Sequence, residues 1–160
     1  AAFEKALVKD FGSIQASLAK VDVRTATCLN PDETKRIQDE LERSVGFVEC
    51  NTLVVGLLRE ALVAQGRTVL ARLPAAERGT STLPGNLGWL LYRMGKLKEA
   101  RPLCEEALQA RRVTLGDRHP DTLTWINKLA GLLKAMGKLK EARPLYEEAL
   151  QASRETLGDR

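Results

Sequence analysis

Few side chains in this sequence are of a type and spacing that could do covalent or acid–base chemistry. His119 is the only histidine and directly precedes Pro120. A catalytic or metal role would need convergent partners, and no triad or ligand cluster accompanies it; a connector position suits it better. The cysteines, Cys28, Cys50 and Cys104, form no CxxC pair and no metal spacing. Their odd number argues against a disulfide scaffold and fits a reducing compartment. Cys28 and Cys50 could be reactive, although burial is the commoner fate of a free cysteine. Glu105–Glu106 and Glu147–Glu148 are adjacent in sequence, so each pair diverges around a helix and reads as solvated charge rather than an acid/base dyad. No phosphate loop, nucleophile elbow or dinucleotide fingerprint is present. The expectation is therefore a protein that is not an enzyme and takes no cofactor or metal. What remains is Trp89, Tyr92 and Arg93, three residues of the kinds that dominate binding hot spots.

The elements that must position them are helices. The chain has 160 residues, 44% hydrophobic and 29% charged, with only 4% aromatic. It is rich in Ala, Leu, Glu, Lys and Arg, which lose little entropy in a helix. Net charge is +4 and uneven. Residues 1–79 carry 11 basic and 11 acidic side chains and residues 80–160 carry 14 and 10, so the excess lies in the second half. The basic residues are interspersed with Glu and Asp, unlike the dense stripe of a nucleic-acid binder, and support a modest preference for acidic partners. No stretch reaches the roughly 18 apolar residues of a membrane span, and no secretory signal is visible. An intracellular, cytoplasmic location is expected, or an organellar one if a targeting peptide has been removed before Ala1-Ala2.

The strongest signal is an internal repeat. Residues 95–118 (GKLKEARPLCEEALQARRVTLGDR) and 137–160 (GKLKEARPLYEEALQASRETLGDR) match at 21 of 24 positions with an offset of 42. The differences are Cys104/Tyr146, Arg111/Ser153 and Val113/Glu155. Upstream, Leu87, Leu90, Leu91 and Met94 correspond to Leu129, Leu132, Leu133 and Met136. Each unit is expected to be two helices: a first helix over about 82–94 and 121–136, and a second over about 97–114 and 139–156. Gly95 and Gly137 should end the first helices in a left-handed conformation, with Gly116 and Gly158 closing the second. Pro120 and Asp121 suit the first turn of the next helix. Leu97, Ala100, Leu103, Cys104, Ala107 and Leu108 form one apolar face, repeated by Leu139, Ala142, Leu145, Tyr146, Ala149 and Leu150. On that face Cys104 reads as a small core residue. Pro102 and Pro144 fall early in the second helices and should remove one backbone donor each.

Leu87-Gly88, Leu129-Ala130, the Gly95 and Gly137 turns, Ala100, Ala142, Ala107, Ala149 and the LGDRHPDTL connector at 115–123 resemble the tetratricopeptide repeat. The likeness is to its 42-residue form, as in kinesin light chains and nephrocystin-like proteins, and covers residues 80–160. It implies an all-α solenoid of helical hairpins whose concave groove, lined by the first helices, binds peptides or protein surfaces. By register the groove positions are Trp89, Tyr92 and Arg93, then Thr124, Asn127, Lys134 and Ala135. Trp89, Tyr92, Arg93, Asn127 and Lys134 are the expected partner-binding residues. The kinesin-light-chain pattern often pairs two Asn in this helix; here Asn127 is followed by Lys128, and the first unit has Asn86 alone. Trp89 stands where the sister unit has Gly131, so the fold does not require an aromatic there. It could anchor a partner or be covered by the N-terminal helices, and Trp125 reads as interhelical packing.

Residues 1–79 do not match the repeat but look helical over about 2–20 (Phe3, Leu7, Phe11, Ile14, Leu18), after the Asn30-Pro31-Asp32 start signal (Ile37, Leu41, Val45, Val48), and over 51–72. LLREALVAQGRTVL at 57–70 loosely echoes the second helix, and residues 73–86 read as a linker. Because two repeats cannot bury both open faces, the helices of 31–72 are expected to cap the first unit. The domains are thus 1–79, a helical cap, and 80–160, two tandem repeats. The function expected is a protein–protein interaction module: a peptide-binding adaptor or a peripheral scaffold subunit of a larger assembly, with an acidic peptide or a large complex as partner. The alternative is a nucleic-acid-binding helical repeat, which the pI near 9.1 and the arginines of 111–118 permit.

Overall fold

The computed structural model describes residues 2–27 and 30–157, and every regular element among them is helical. Cys28 and Gly158 lie outside the described residues, as does the side chain of Phe3. The helices are α1 (Ala2–Leu18), α2 (Pro31–Ser44), α3 (Phe47–Arg72), α4 (Ala75–Arg78), α5 (Leu83–Arg93), α6 (Leu97–Leu115), α7 (Pro120–Ala135) and α8 (Leu139–Leu157). The chain divides into two compact units, Ala1–Phe11 with Gly66–Arg160, and Gly12–Gln65. Among the described residues no helix is long and apolar enough to cross a membrane.

The first unit is an all-α helical-repeat solenoid of two hairpins, α5/α6 and α7/α8. Their boundaries follow the chemistry of the sequence. Gly95 and Gly137 have φ of +76° and +75°, the left-handed region glycine enters at least cost. Around each, Lys96 N donates to Leu91 O and Gly95 N to Tyr92 O, while Lys138 N donates to Leu133 O and Gly137 N to Lys134 O. Both first helices therefore end in the same Schellman motif, which satisfies otherwise orphaned carbonyls. Gly116 closes α6 with φ +89°. His119 caps α7, its Nδ1 accepting from Asp121 N at 3.2 Å, and Pro120 occupies the first turn. The connector reading of His119 is thus given a mechanism. α6 and α8 run through Pro102 and Pro144.

Hairpin packing depends on small residues. Ala100, Ala107, Ala142 and Ala149 are buried. A Cβ on Gly88 would come within 2.9 Å of Cys104 Sγ and 3.1 Å of Leu103 Cβ, so α5 and α6 meet at a distance only glycine permits. Leu83, Leu87, Leu90 and Leu91 of α5 are fully enclosed. Part of the cover of Leu87 comes from Phe11 and the backbone at Gly66: a Cβ on Gly66 would meet Phe11 Cε2 at 3.0 Å and Leu87 Cδ1 at 3.2 Å.

The reading of 73–86 as a linker needs correction. α4 occupies 75–78, and α5 already begins at Leu83 with Pro84 and Gly85 buried inside it. Proline is tolerated there because the first-turn N–H has no intrahelical acceptor to lose.

The second unit is pinned by polar contacts. A 3₁₀ turn at Val23–Thr25 is capped by Asp22, which accepts from Arg24 N. Val23 N donates to Asn51 Oδ1 on α3 at 3.1 Å, and Gln38 of α2 donates to the carbonyls of Arg24 and Ala26. Asn30 caps α2 as its sequence signal indicated. α2 nevertheless buries no residue, and Ile37, Val45 and Val48 are exposed.

Candidate functional site

Aromatic and cationic side chains converge along the first helices of the two hairpins. On α5, Trp89 and Tyr92 are three residues apart and share a face; their rings stack with centroids 4.8 Å apart at 26°. On α7, Trp125 and Lys128 have the same spacing. Lys128 Nζ lies 5.2 Å from the Trp89 ring centroid and 4.4 Å from that of Trp125, so the ammonium is shared by two indoles. Arg111 of α6 lies over the Trp125 ring, Cζ at 4.5 Å from the centroid. The result is a continuous row, Tyr92–Trp89–Lys128–Trp125–Arg111.

Trp125 is the structural centre of the row, only 6% exposed. Its ring fills the space left by Gly85, where a Cβ would come within 2.6 Å of the indole and 3.2 Å of Ala107 Cβ. Trp125 is thus interhelical packing, as its sequence context suggested. Trp89 and Tyr92 are half-buried.

The electrostatics are unusual for a surface otherwise laced with ion pairs. Lys128 is held below its ordinary pKa, first by desolvation and then by the neighbouring Arg111 charge. Arg111 is also lowered by desolvation, with Asp121 opposing the shift. Arg111 Nη1 donates to Ala107 O at 3.0 Å, but neither Arg111 nor Lys128 forms an ion pair with a described carboxylate. By contrast Arg78, Arg101, Arg112 and Arg118 each reach a glutamate on another helix. Partly buried cations normally take an anionic partner, and cation–π contacts of about 0.5–2 kcal/mol offset desolvation only in part. The thiol of Cys104, beneath this row, is pushed up to about 11 by burial, despite the pull of Lys128. It is buried and free, as its sequence position implied. No group of three or more His, Cys, Asp or Glu among the described residues is placed to hold a metal ion.

The structure brings together two of the five residues picked out by register, Trp89 and Tyr92. Arg93, Asn127 and Lys134 are exposed on α5 and α7 but do not enter the row. Lys128 and Arg111 were missed as site residues, yet the sequence carried a signal for both. At the 42-residue offset Trp89 faces Gly131, Tyr92 faces Lys134, Trp125 faces Leu83, Lys128 faces Asn86 and Arg111 faces Ser153. The row is built from positions the duplication does not repeat.

Comparison with known families agrees with the fold. The family model described as tetratricopeptide repeat matches residues 79–155. No curated protein matches the chain.

Proposed function

We propose that this chain, a tetratricopeptide-repeat protein over residues 79–155, binds an acidic segment of a partner protein along the α5/α7 surface. Repeats of this family are protein-interaction modules, and the hairpins here supply a rigid platform of the kind that carries a binding row well. The observation that carries the reading is the pair Lys128 and Arg111: two partly desolvated cations, stacked on Trp125, that feel Asp121 but form no ion pair with a described carboxylate. A glutamate or aspartate from a partner would restore the missing charge, and Trp89 with Tyr92 would take an adjacent apolar side chain. Arg93, Asn127 and Lys134 form the rim of this surface. Such a platform serves a peptide-binding adaptor or a fixed subunit of a larger assembly alike.

Nucleic-acid binding is the weaker reading for a specific reason. Arg101, Arg112, Arg118 and Arg143 of the repeat, with Arg78 just before it, are tied to glutamates within the fold. A phosphate track needs free cations whose counterions are released on binding.

The test is a titration of the full chain with peptides of equal length and graded acidity, followed by calorimetry. Affinity should rise with acidic content, fall as salt increases and drop on Lys128→Ala. Tighter binding to single-stranded RNA than to any acidic peptide would overturn the proposal.

A further inference from the structure

The amine of Lys128 occupies a place that suits a nucleophile better than a structural cation. It is half-buried, with the Trp89 ring of α5 at 5.2 Å and the Trp125 ring of its own helix at 4.4 Å. The Arg111 guanidinium of α6 lies over the same Trp125 ring. Lys138 shows the ordinary arrangement for a half-buried lysine: its Nζ sits 2.9 Å from Glu141 Oε1. Lys128 has indoles and a second cation around it, and no ion pair with a described carboxylate. The repeat itself does not call for this cluster. The sisters of Trp89, Trp125, Lys128 and Arg111 are Gly131, Leu83, Asn86 and Ser153.

A lysine attacks electrophiles only as the free amine, and two devices favour that form: desolvation and a neighbouring positive charge. Both act here. Burial lowers the pKa of Lys128 first, and the Arg111 charge lowers it further. Cys104 and Asp121 oppose the shift. The Cys104 thiol, pushed up to about 11 by burial, is neutral near pH 7 and exerts little pull there. Asp121 is exposed, so solvent screens its charge. The two indoles hold the amine in place and keep water from part of it.

We propose that Lys128 is a covalent modification site that condenses with aldehydes bearing an anionic group. The nitrogen lone pair attacks the carbonyl carbon and a C=N bond replaces the C=O bond. The carbonyl oxygen leaves as water, taking the two amine protons, so the step needs no oxidant or reductant. Arg111 attracts the anionic group of the aldehyde, and the half-buried Trp89 ring offers its body an apolar surface. The reaction concerns the free amine of the isolated chain, so it stands or falls apart from the binding of an acidic partner.

The test exposes the full chain to limiting para-formylbenzoate at pH 7, traps the imine with cyanoborohydride and locates the adducts by peptide mass spectrometry. Lys128 should be modified at least about threefold faster than the exposed Lys98 and Lys134, since each unit of lowered pKa leaves about tenfold more free amine and a less basic amine gives part of that back. The neutral analogue para-formylbenzamide should modify Lys128 several-fold more slowly, and Arg111→Gln should cancel the difference between the two aldehydes. Equal rates at Lys128, Lys98 and Lys134 overturn the proposal, as does an unaltered preference for the anionic aldehyde in an Arg111→Gln chain of unchanged Tm. A side-chain NMR titration of the wild type needs no variant. The Lys128 amine should titrate below those of Lys98 and Lys134, and titration together with them or above them overturns the proposal.

Discussion

Three residues in or beneath the row each make a different prediction. Trp89 is half-buried and replaceable by the glycine of its sister unit, so Trp89→Ala should leave the melting temperature nearly unchanged while costing about 2 kcal/mol in partner binding, read by calorimetry. A large loss of stability with unaltered binding would make it a packing residue instead. Gly85 is the converse case. A methyl there collides with the Trp125 ring, so Gly85→Ala should destabilise the fold by about 1–3 kcal/mol in urea unfolding. Cys104 gives the pH prediction. Its thiol is raised to about 11 in the fold, so the stability owed to the neutral thiol is complete below pH 9 and is lost as pH rises toward 11. Stability of the wild type should fall over that window more steeply than that of Cys104→Ala. The thiol should also stay unreactive toward alkylating reagents at pH 8 until the chain unfolds, while Cys50 reacts. Residues such as Trp89 were legible as exceptions to the repeat. Lys128 and Arg111 were not recognised, because their role depends on which indole faces each cation, and sequence spacing within one helix does not reveal neighbours on another.

At the scale of elements, most of the hairpin architecture could be read from the sequence because its signals are local. Glycine turns, a proline after the cap and helical apolar spacing each act within a few residues, and the ends of α5–α8 fall within two residues of expectation. Pro84 and Gly85 were misleading because their usual turn-forming role gives way to the first turn of a buried helix. The N-terminal half was harder: α2 has the periodicity of a packed helix yet leaves Ile37 and Val45 in solvent. Within the unit that holds the repeats, Phe11 and Gly66 flank Leu87, and Arg67 and Arg78 pair with Glu99 and Glu106 of α6. A fragment of residues 80–160 should therefore melt at a lower temperature than the whole chain, or self-associate. Cooperative monomeric melting at full-chain stability would contradict the capping role.

At the scale of the molecule, the net charge of +4 understates how the charges are used. Arg101, Arg112 and Arg118 hold one helix to the next, whereas Lys128 and Arg111 are partly buried cations that lie beside aromatic rings and form no ion pair with a described carboxylate. That division of labour is the central claim, and one calorimetric series tests it most directly: an acidic peptide selected by the wild-type chain, titrated into wild type, Lys128→Ala and Arg101→Ala at two salt concentrations. The account predicts that Lys128→Ala weakens binding about tenfold or more, a loss of the size found for charge-assisted contacts, whereas Arg101→Ala lowers stability slightly and leaves affinity unchanged. Equal losses from both substitutions, or none from Lys128→Ala, would contradict it.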